Sequence, residues 1–531
     1  MSDRQVIRER TFRVATHTPT EVRDNPHALP PLAVPTRGGA LGRVGPHPST
    51  QPRLAARPSG AWAHNDFSAG RTVRAANTGK MEPMPSPEPA TDLLSTDPAA
   101  PQRIPGPPAS QGEFGFKVTT RMGESCAPSD AAVELNGGKF QGRTGVITTP
   151  HGTVKTPAFI AVGTKATVKA VLPESMAELG AQALLANAYH LYLQPGAELL
   201  DAAGGLGKFM NWHGPTFTDS GGFQVMSLGS GFKKVINMDA AAASPHAGAD
   251  DSVAVGKERL AHIDDDGVWF KSHLNGDMHR FTPEVSMQVQ HQIGADIMFA
   301  FDELTTLLNS RGYQEMSLER TRLWAQRCVE EHFRLTLDRT GKPYQALFGV
   351  IQGAQYEDLR RKASRDLGSM DFDGYGIGGA LEKENLGTIV RWCAEELPED
   401  KPRHLLGISE PDDIFTAIEN GADTFDCVSP TRVARTSAFY TPDGRFNLSG
   451  ARYKRDFGPL VDGCDCYACA NYSRAYIHHL FKAKEMVSAT LVSIHNERFV
   501  VKMVDDARLA IEDGTFFDFK AETLRRYYPN R

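Results

Sequence analysis

Seven short apolar runs constrain the fold of this chain more than any other feature. They are ALLANAY (183–189), PTFTDS (215–220), DIMFAFDE (296–303), ALFGVIQG (346–353), GYGIGGA (374–380), HLLGIS (404–409) and DTFDCV (423–428). Each has the length of a buried strand, and helical stretches separate several of them. TPEVSMQVQHQIG opens on Thr282 as N-cap with Pro283 at the first helical position, and it stops at Gly294. SLERTRLWAQRCVEEHFR (317–334) keeps its apolar residues on one face, and SEPDDIFTAIENG (409–421) runs from Ser409 to Gly421. Ahead of them, GVITTPHGTVKTPAFIAVGT (145–164) reads as hairpins. Strands alternating with helices imply a parallel sheet with right-handed crossovers. Seven or eight such units in about 350 residues fit a closed (β/α)8 barrel better than an open sheet.

The ends of those runs are unusual. They close on Asn187, Asp219, Asp302, Gln352, Gly379, Gly407 and Asp426. In a barrel the C-terminal strand ends converge on one mouth, where the chemistry occurs. Three carboxylates therefore meet there. Paired carboxylates suit glycosyl chemistry, one attacking the anomeric carbon and the other carrying a proton. The competing reading for a single aspartate at such a place is helix capping.

Proline marks where this pattern begins. Residues 1–112 hold 18 of the 34 prolines and carry 13 Lys+Arg against 9 Asp+Glu. That stretch has no apolar periodicity, so it is expected to be a disordered extension, since it cannot bury enough surface to offset its ordering entropy. A basic arm that helps hold RNA is the sharper alternative. The remaining 419 residues carry 45 basic and 55 acidic side chains, so RNA binding there requires a local basic patch. No run of about 18 apolar residues exists, so no membrane association is expected. MSDRQVIRERTFRV lacks an apolar core and contains Asp3 and Glu9, which argues against a secretory or transit signal and for a cytoplasmic protein. Cys464, Cys466 and Cys469 crowd into six positions of a seven-cysteine chain. This reads as a metal site in a reducing compartment, and His478, His479 and His495 are all candidates for its fourth ligand. Four protein ligands leave no open position, so the metal would be structural.

The segment 431–455, beside Asp426, supplies a basic patch. It carries Arg432, Arg435, Arg445, Arg452, Lys454 and Arg455, with Tyr440, Phe446 and Tyr453 interleaved, a composition able to bind phosphates and stack splayed bases. Gly374, Gly376, Gly378 and Gly379 resemble a dinucleotide fingerprint only superficially, because the helix and distant ribose-binding acid it requires are not evident.

TDSGGFQVMSL (218–228), NAYHL (187–191), FDE (301–303), IQG (351–353), GIGG (376–379), FDCVSPTRVAR (425–435) and C-x-C-x2-C followed by SIHN (493–496) together resemble the bacterial-type tRNA-guanine transglycosylases, or queuine tRNA-ribosyltransferases. The resemblance runs from about Phe114 to the C-terminus and leaves 237–257 as an insertion. It implies a catalytic barrel over 113–459 and a zinc-binding subdomain over 460–531. It also implies an enzyme that replaces guanine at the anticodon wobble position of tRNA with a 7-deazaguanine base, in queuosine biosynthesis. Asp426 would be the nucleophile, holding a covalent ribosyl intermediate, and Asp219 the general acid/base. The base would leave its stack to enter the pocket. Asp302, Gln352 and the Gly379 N–H would read its edge, with Ser220 and Ala380 lining the pocket and Phe223 and Leu406 on its faces. For Phe223 alone, core packing is at least as good a reading. Arg432 and Arg435 would read the flanking bases, and Arg452, Lys454 and Arg455 would meet the RNA. His495 would complete a zinc site with the three cysteines, and the family commonly forms homodimers.

Two positions depart from the common bacterial pattern. Leu304 follows FDE where many relatives have cysteine, and Ala380 follows GlyGly where leucine is usual. Both bear on the volume near the 7-substituent. The incoming base is expected to be 7-aminomethyl-7-deazaguanine, with queuine second. A non-catalytic tRNA-binding partner subunit of the same fold is disfavoured by the presence of both Asp219 and Asp426. A barrel glycosidase would need neither the cysteine cluster nor the basic patch.

Overall fold

The computed structural model describes residues 114–128, 133, 139–229, 261–379 and 382–529. The extension 1–112, the insertion 237–257 and Ala380 lie outside the described residues.

The chain opens with an antiparallel sheet of β1 (Gly115–Arg121), β2 (Arg143–Thr149) and β3 (Gly152–Thr156). Eight strands then close a parallel barrel: β4 (Ala158–Val162), β5 (Leu184–Asn187), β6 (Thr216–Asp219), β10 (Ile297–Phe299), β11 (Ala346–Ile351), β12 (Gly374–Ile377), β13 (Arg403–Leu405) and β14 (Thr424–Cys427), which returns to β4. A second antiparallel sheet, β7 (Ala261–Ile263), β8 (Val268–Lys271) and β9 (Met278–Phe281), interrupts the barrel between β6 and β10. The hairpin of β15 (Ala438–Thr441) and β16 (Gly444–Asn447) follows it.

The barrel expected from the alternating runs is present, and its eighth strand lies where only hairpins were expected. Val146 and Ile147 do pair with β3, but Pro157 interrupts the ladder because it carries no N–H. Beyond it, AFIAV is buried at all five positions and enters the barrel as β4. Strands covered on both faces show no alternation of polarity, which is why this one escaped the reading. A second difference concerns DIMFAFDE: β10 ends at Phe299, so Asp302 sits in an irregular segment past the strand.

Period-two geometry sorts the barrel residues into two cores. Ala158, Ile160, Val162, Leu185, Phe217, Ile297, Phe299, Phe348 and Val350 pack together inside, joined by Ile147 and Val154 of the N-terminal sheet. Phe159, Ala161, Leu184, Met298, Leu347 and Phe425 face the surrounding helices. The GYGIGG run is explained by the interior. A Cβ on Gly374 would come within 2.5 Å of the Phe348 ring, and one on Gly376 within 2.9 Å of the Phe299 ring. These glycines make room for aromatics, so the superficial nucleotide fingerprint is a packing motif.

The helix Pro283–Ile293 has Thr282 as N-cap, its side chain accepting from the Val285 N–H, and ends at Gly294 in the left-handed conformation, as its sequence predicts. The long helix Val487–Glu512 packs on β4 and on the helix Ser429–Ala434. Arg508 donates to the Pro157 carbonyl at 3.0 Å and Arg498 to the Leu179 carbonyl at 3.1 Å, tying this C-terminal helix to the barrel. Among the described residues no helix is long and apolar enough to cross a membrane.

Candidate active site

Parity within each strand decides which side chains reach the mouth. Asp219 lies two residues after Phe217, and Asp426 two after Thr424, so both point inward at the C-terminal ends of their strands. β5 and β6 run in register, with Asn187 opposite Asp219.

Asp219 is half-buried and held by three donors. The Asn187 and Gln224 side-chain amides bond to Oδ2, and the Ala188 N–H donates to Oδ1 at 2.9 Å. The capping alternative is thus partly true, because Asp219 caps the neighbouring helix Ala188–Leu193 rather than its own. Burial pushes its carboxyl up to about 6, the three hydrogen bonds oppose that rise, and the charge of Asp426 adds to it. Asp302 receives the Ser220 hydroxyl at 3.2 Å and the Gln352 amide at 2.7 Å. Burial also lifts it to about 6, the same two bonds pull it down, and the charge of Asp219 raises it further. A carboxyl raised in this way is suited to general acid–base chemistry.

Gln352 donates to Asp302, while its Oε1 has no partner among the described residues. Gly379 has φ +91°, and a Cβ there would approach Gln352 Oε1 to 2.6 Å, so this position needs glycine twice over. Leu406 is half-buried and leans over the β12 glycines, its Cδ1 lying 3.3 Å from where a Gly378 Cβ would stand. Phe223 is 45% exposed, so core packing does not explain it, and its ring is free to cover a planar ligand. Leu304 is half-buried against the core, its N–H directed at the Met226 sulfur.

Asp426 Oδ1 accepts from His404 Nε2 and from the Gly407 N–H, both at 3.1 Å. Cys427 bonds elsewhere, its sulfur accepting from the Ser429 N–H, as strand alternation predicts. His404 was not singled out from the sequence, although its place in HLLGIS shares the inward parity of Leu406. Two further groups were missed. Arg360 is completely buried and donates to the carbonyls of Ile351, Ala354 and Gly378, the strand ends that carry Gln352 and Gly379. The exposed Lys165 and Lys169 follow β4, and Lys169 is held below the usual lysine range by burial and by the neighbouring Arg435, Arg432 and Lys165. Glu303, the last residue of FDE, is an anchor. It is buried and takes bonds from Tyr313 and Arg320.

The basic segment needs correction in one respect. Arg432, Arg435, Lys454 and Arg455 are exposed, but Tyr440 and Tyr453 are buried in the core and cannot stack on a base. Arg452 lies over the Phe446 and Tyr453 rings at 5.2 and 4.7 Å, and Arg445 pairs with Glu410 at 3.6 Å.

The cysteine cluster selects one histidine. His495 Nδ1 lies 3.7, 3.6 and 3.3 Å from the sulfurs of Cys464, Cys466 and Cys469. A tetrahedral zinc with ordinary bond lengths places such atoms about 3.6 Å apart. His495 Nε2 donates to the Tyr440 carbonyl at 2.8 Å, which aims Nδ1 into the cluster. His478 is bonded to the Leu448 carbonyl, and His479 lies outside the group. The four residues fit a closed metal site.

The profile described as "Queuine tRNA-ribosyltransferase" matches residues 139–529. Among curated proteins, a queuine tRNA-ribosyltransferase of Fusobacterium nucleatum is 44% identical over 405 residues, covering 75% of this chain and 98% of its own length. One from Caldanaerobacter subterraneus is 43% identical over 396 residues, covering 74% and 96%. One from Symbiobacterium thermophilum is 42% identical over 389 residues, covering 73% and 88%.

Proposed function

The chain belongs to the queuine tRNA-ribosyltransferase family, and from that premise we propose that it is a tRNA-guanine transglycosylase working through a covalent ribosyl-aspartyl intermediate. Asp426 Oδ2 attacks C1′ of the wobble nucleotide, the C1′–N9 bond breaks, and its electron pair leaves with guanine. Asp219 gives that base its proton. It then takes the N9 proton of the incoming 7-deazaguanine, whose nitrogen attacks C1′ and expels Asp426. The observation that carries this reading is the pairing, at one mouth of the barrel, of Asp219, whose carboxyl is pushed up to about 6, with Asp426, whose Oδ1 is held by two N–H donors, one suited to proton transfer and the other to attack.

Asp302, Gln352 and the Gly379 N–H read the base edge, with Ser220 holding Asp302 and Phe223 and Leu406 on the two faces. The incoming base is 7-aminomethyl-7-deazaguanine, with queuine as the alternative. Arg432 and Arg435 contact the flanking nucleotides, and Arg452, Lys454 and Arg455 extend the contact along the RNA. Cys464, Cys466, Cys469 and His495 hold one Zn2+, which organises the 460–531 subdomain on the 113–459 barrel and takes no part in the reaction. The protein acts in the cytoplasm as a homodimer.

Incubating it with labelled guanine and unmodified tRNA should place label in the RNA. No incorporation by the wild type would overturn the enzyme reading in favour of a tRNA-binding partner subunit. Asp426→Asn should abolish the RNA adduct seen on a denaturing gel, and a surviving adduct would mean another nucleophile. Competition between the two 7-deazaguanines decides the natural base.

A further inference from the structure

His404 is the one fully buried imidazole in contact with Asp426 among the described residues. It lies on β13 inside the barrel, tilted against the rings of Phe299 and Phe217 at 5.1 and 5.8 Å. Its two nitrogens are both engaged by β14. Nδ1 meets the Thr424 hydroxyl at 2.9 Å, and Nε2 meets Asp426 Oδ1 at 3.1 Å. A carboxylate only accepts, so Nε2 carries the proton between them. The Thr424 hydroxyl completes the arrangement in either charge state, donating to a neutral Nδ1 or accepting from a protonated one.

The Gly407 N–H falls on the same oxygen at 3.1 Å, and among the described residues Oδ2 takes no hydrogen bond. We infer that His404, oriented by Thr424, is a positioning residue that turns Asp426 so that Oδ1 is held by two N–H donors and Oδ2 is left to attack. This rests on the reading of Asp426 as nucleophile. It also bears on the second half of the exchange. Once Oδ2 is bonded to C1′, Oδ1 is the carbonyl oxygen of the ester. When the incoming base displaces the carboxylate, the C–O electron pair returns to the carboxyl group, and two donors are already in place for the charge. Preorganised donors of this kind lower the barrier without a reorganisation cost at the moment of reaction.

Side-chain geometry supplies the test. A glutamine amide can reach the position of Nε2, whereas asparagine reaches only that of Nδ1. His404→Gln should keep kcat for guanine exchange within about threefold of wild type. His404→Asn should lower it roughly tenfold to a hundredfold, at the low side of the effect of removing one such donor, because Gly407 remains. KM for tRNA and for guanine should stay unchanged in both, since neither substrate touches His404. Thr424→Val, nearly isosteric, should give a smaller loss of kcat of the same kind. Melting temperature and bound zinc are measured alongside, so a misfolded Asn variant is recognised, and the Thr424→Val result then decides.

Equal kcat in the Gln and Asn variants, both folded, would overturn the inference, as would a Thr424→Val enzyme with unaltered kcat. A wild type that forms no adduct would instead overturn the nucleophile assignment itself.

Discussion

Replacing Asp302 by asparagine separates what this residue costs the fold from what it does for the site. Burial raises its carboxyl from 3.8 to about 6. A raised folded-state value means stability that is fully present below pH 3.8 and lost as pH climbs through about 6. At about 1.36 kcal/mol per unit, an ionised Asp302 costs the folded protein about 3 kcal/mol at neutral pH. The asparagine variant would carry no such cost. The partners of the side chain can adapt: Ser220 can still donate to its oxygen, and the unpaired Gln352 Oε1 can accept from its amide once the glutamine turns over. Asp302→Asn should therefore be more stable than wild type at about pH 7.5. Its advantage should shrink by about 1.4 kcal/mol on going to about pH 5, where the wild type has lost only part of its stability. Urea unfolding of both proteins at the two pH values measures this directly. Guanine exchange should fall on the order of a hundredfold or more at either pH, because a base edge rich in N–H donors then meets an amide. A stability advantage of Asp302→Asn that does not change with pH would refute the claim that ionisation of Asp302 is what burdens the fold.

Cys466→Ser should lower bound zinc and thermal stability together, by several kcal/mol if the ion organises this region, and unchanged zinc content would reject the ligand set. Arg360→Met leaves the buried carbonyls of residues 354 and 378 without their donor and takes one of two from that of Ile351, so it should cost about 2–4 kcal/mol and raise KM for guanine more than KM for tRNA. An unchanged guanine KM would sink that link to the base pocket. Arg432→Ala with Arg435→Ala should raise KM for tRNA and flatten its salt dependence by about two contacts' worth while leaving KM for guanine alone. An unaltered salt slope would remove these residues from the RNA contact.

What the sequence revealed depended on how strongly each residue's neighbours along the chain signal its place. The strand ends Asp219 and Asp426 were legible because a polar residue closing an apolar run is locally anomalous. The cysteine cluster was legible because its spacing is local. The choice of His495 was not, since three histidines lie within reach along the chain and only the Tyr440 carbonyl, brought in by β15, aims one of them at the sulfurs. Tyr440 and Tyr453 were misread for the complementary reason. An aromatic between arginines has the same local composition whether it faces RNA or the core, and the packing of Phe439 against Tyr453 at 5.9 Å decided for the core.

His404 and the β12 glycines show what parity could have added. Inside a small barrel, the residue two places before a strand-end aspartate shares its direction, so Thr424 had to face inward with Asp426. β13 pairs with β14 in parallel with His404 opposite Thr424, and an inward histidine there has two polar atoms to satisfy in an otherwise aromatic interior. Its partners could only come from the neighbouring strand. Gly374 and Gly376 follow from the same rule with the opposite content: two inward positions without side chains, one strand from β11, provide space for Phe348 and Phe299. A barrel interior divides its volume among eight strands, so a strand that contributes nothing obliges its neighbours to contribute large rings. One of those rings, Phe299, forms with Phe217 the apolar wall against which His404 is held to its two bonds. The order at the mouth thus depends on residues that neither bind the base nor touch the RNA. Enlarging Gly376 to alanine, which would bring a Cβ within 2.9 Å of Phe299, should therefore disturb the His404–Asp426 contact and lower kcat before it affects tRNA binding. A Gly376→Ala enzyme with intact kcat would show that the wall and the nucleophile are independent.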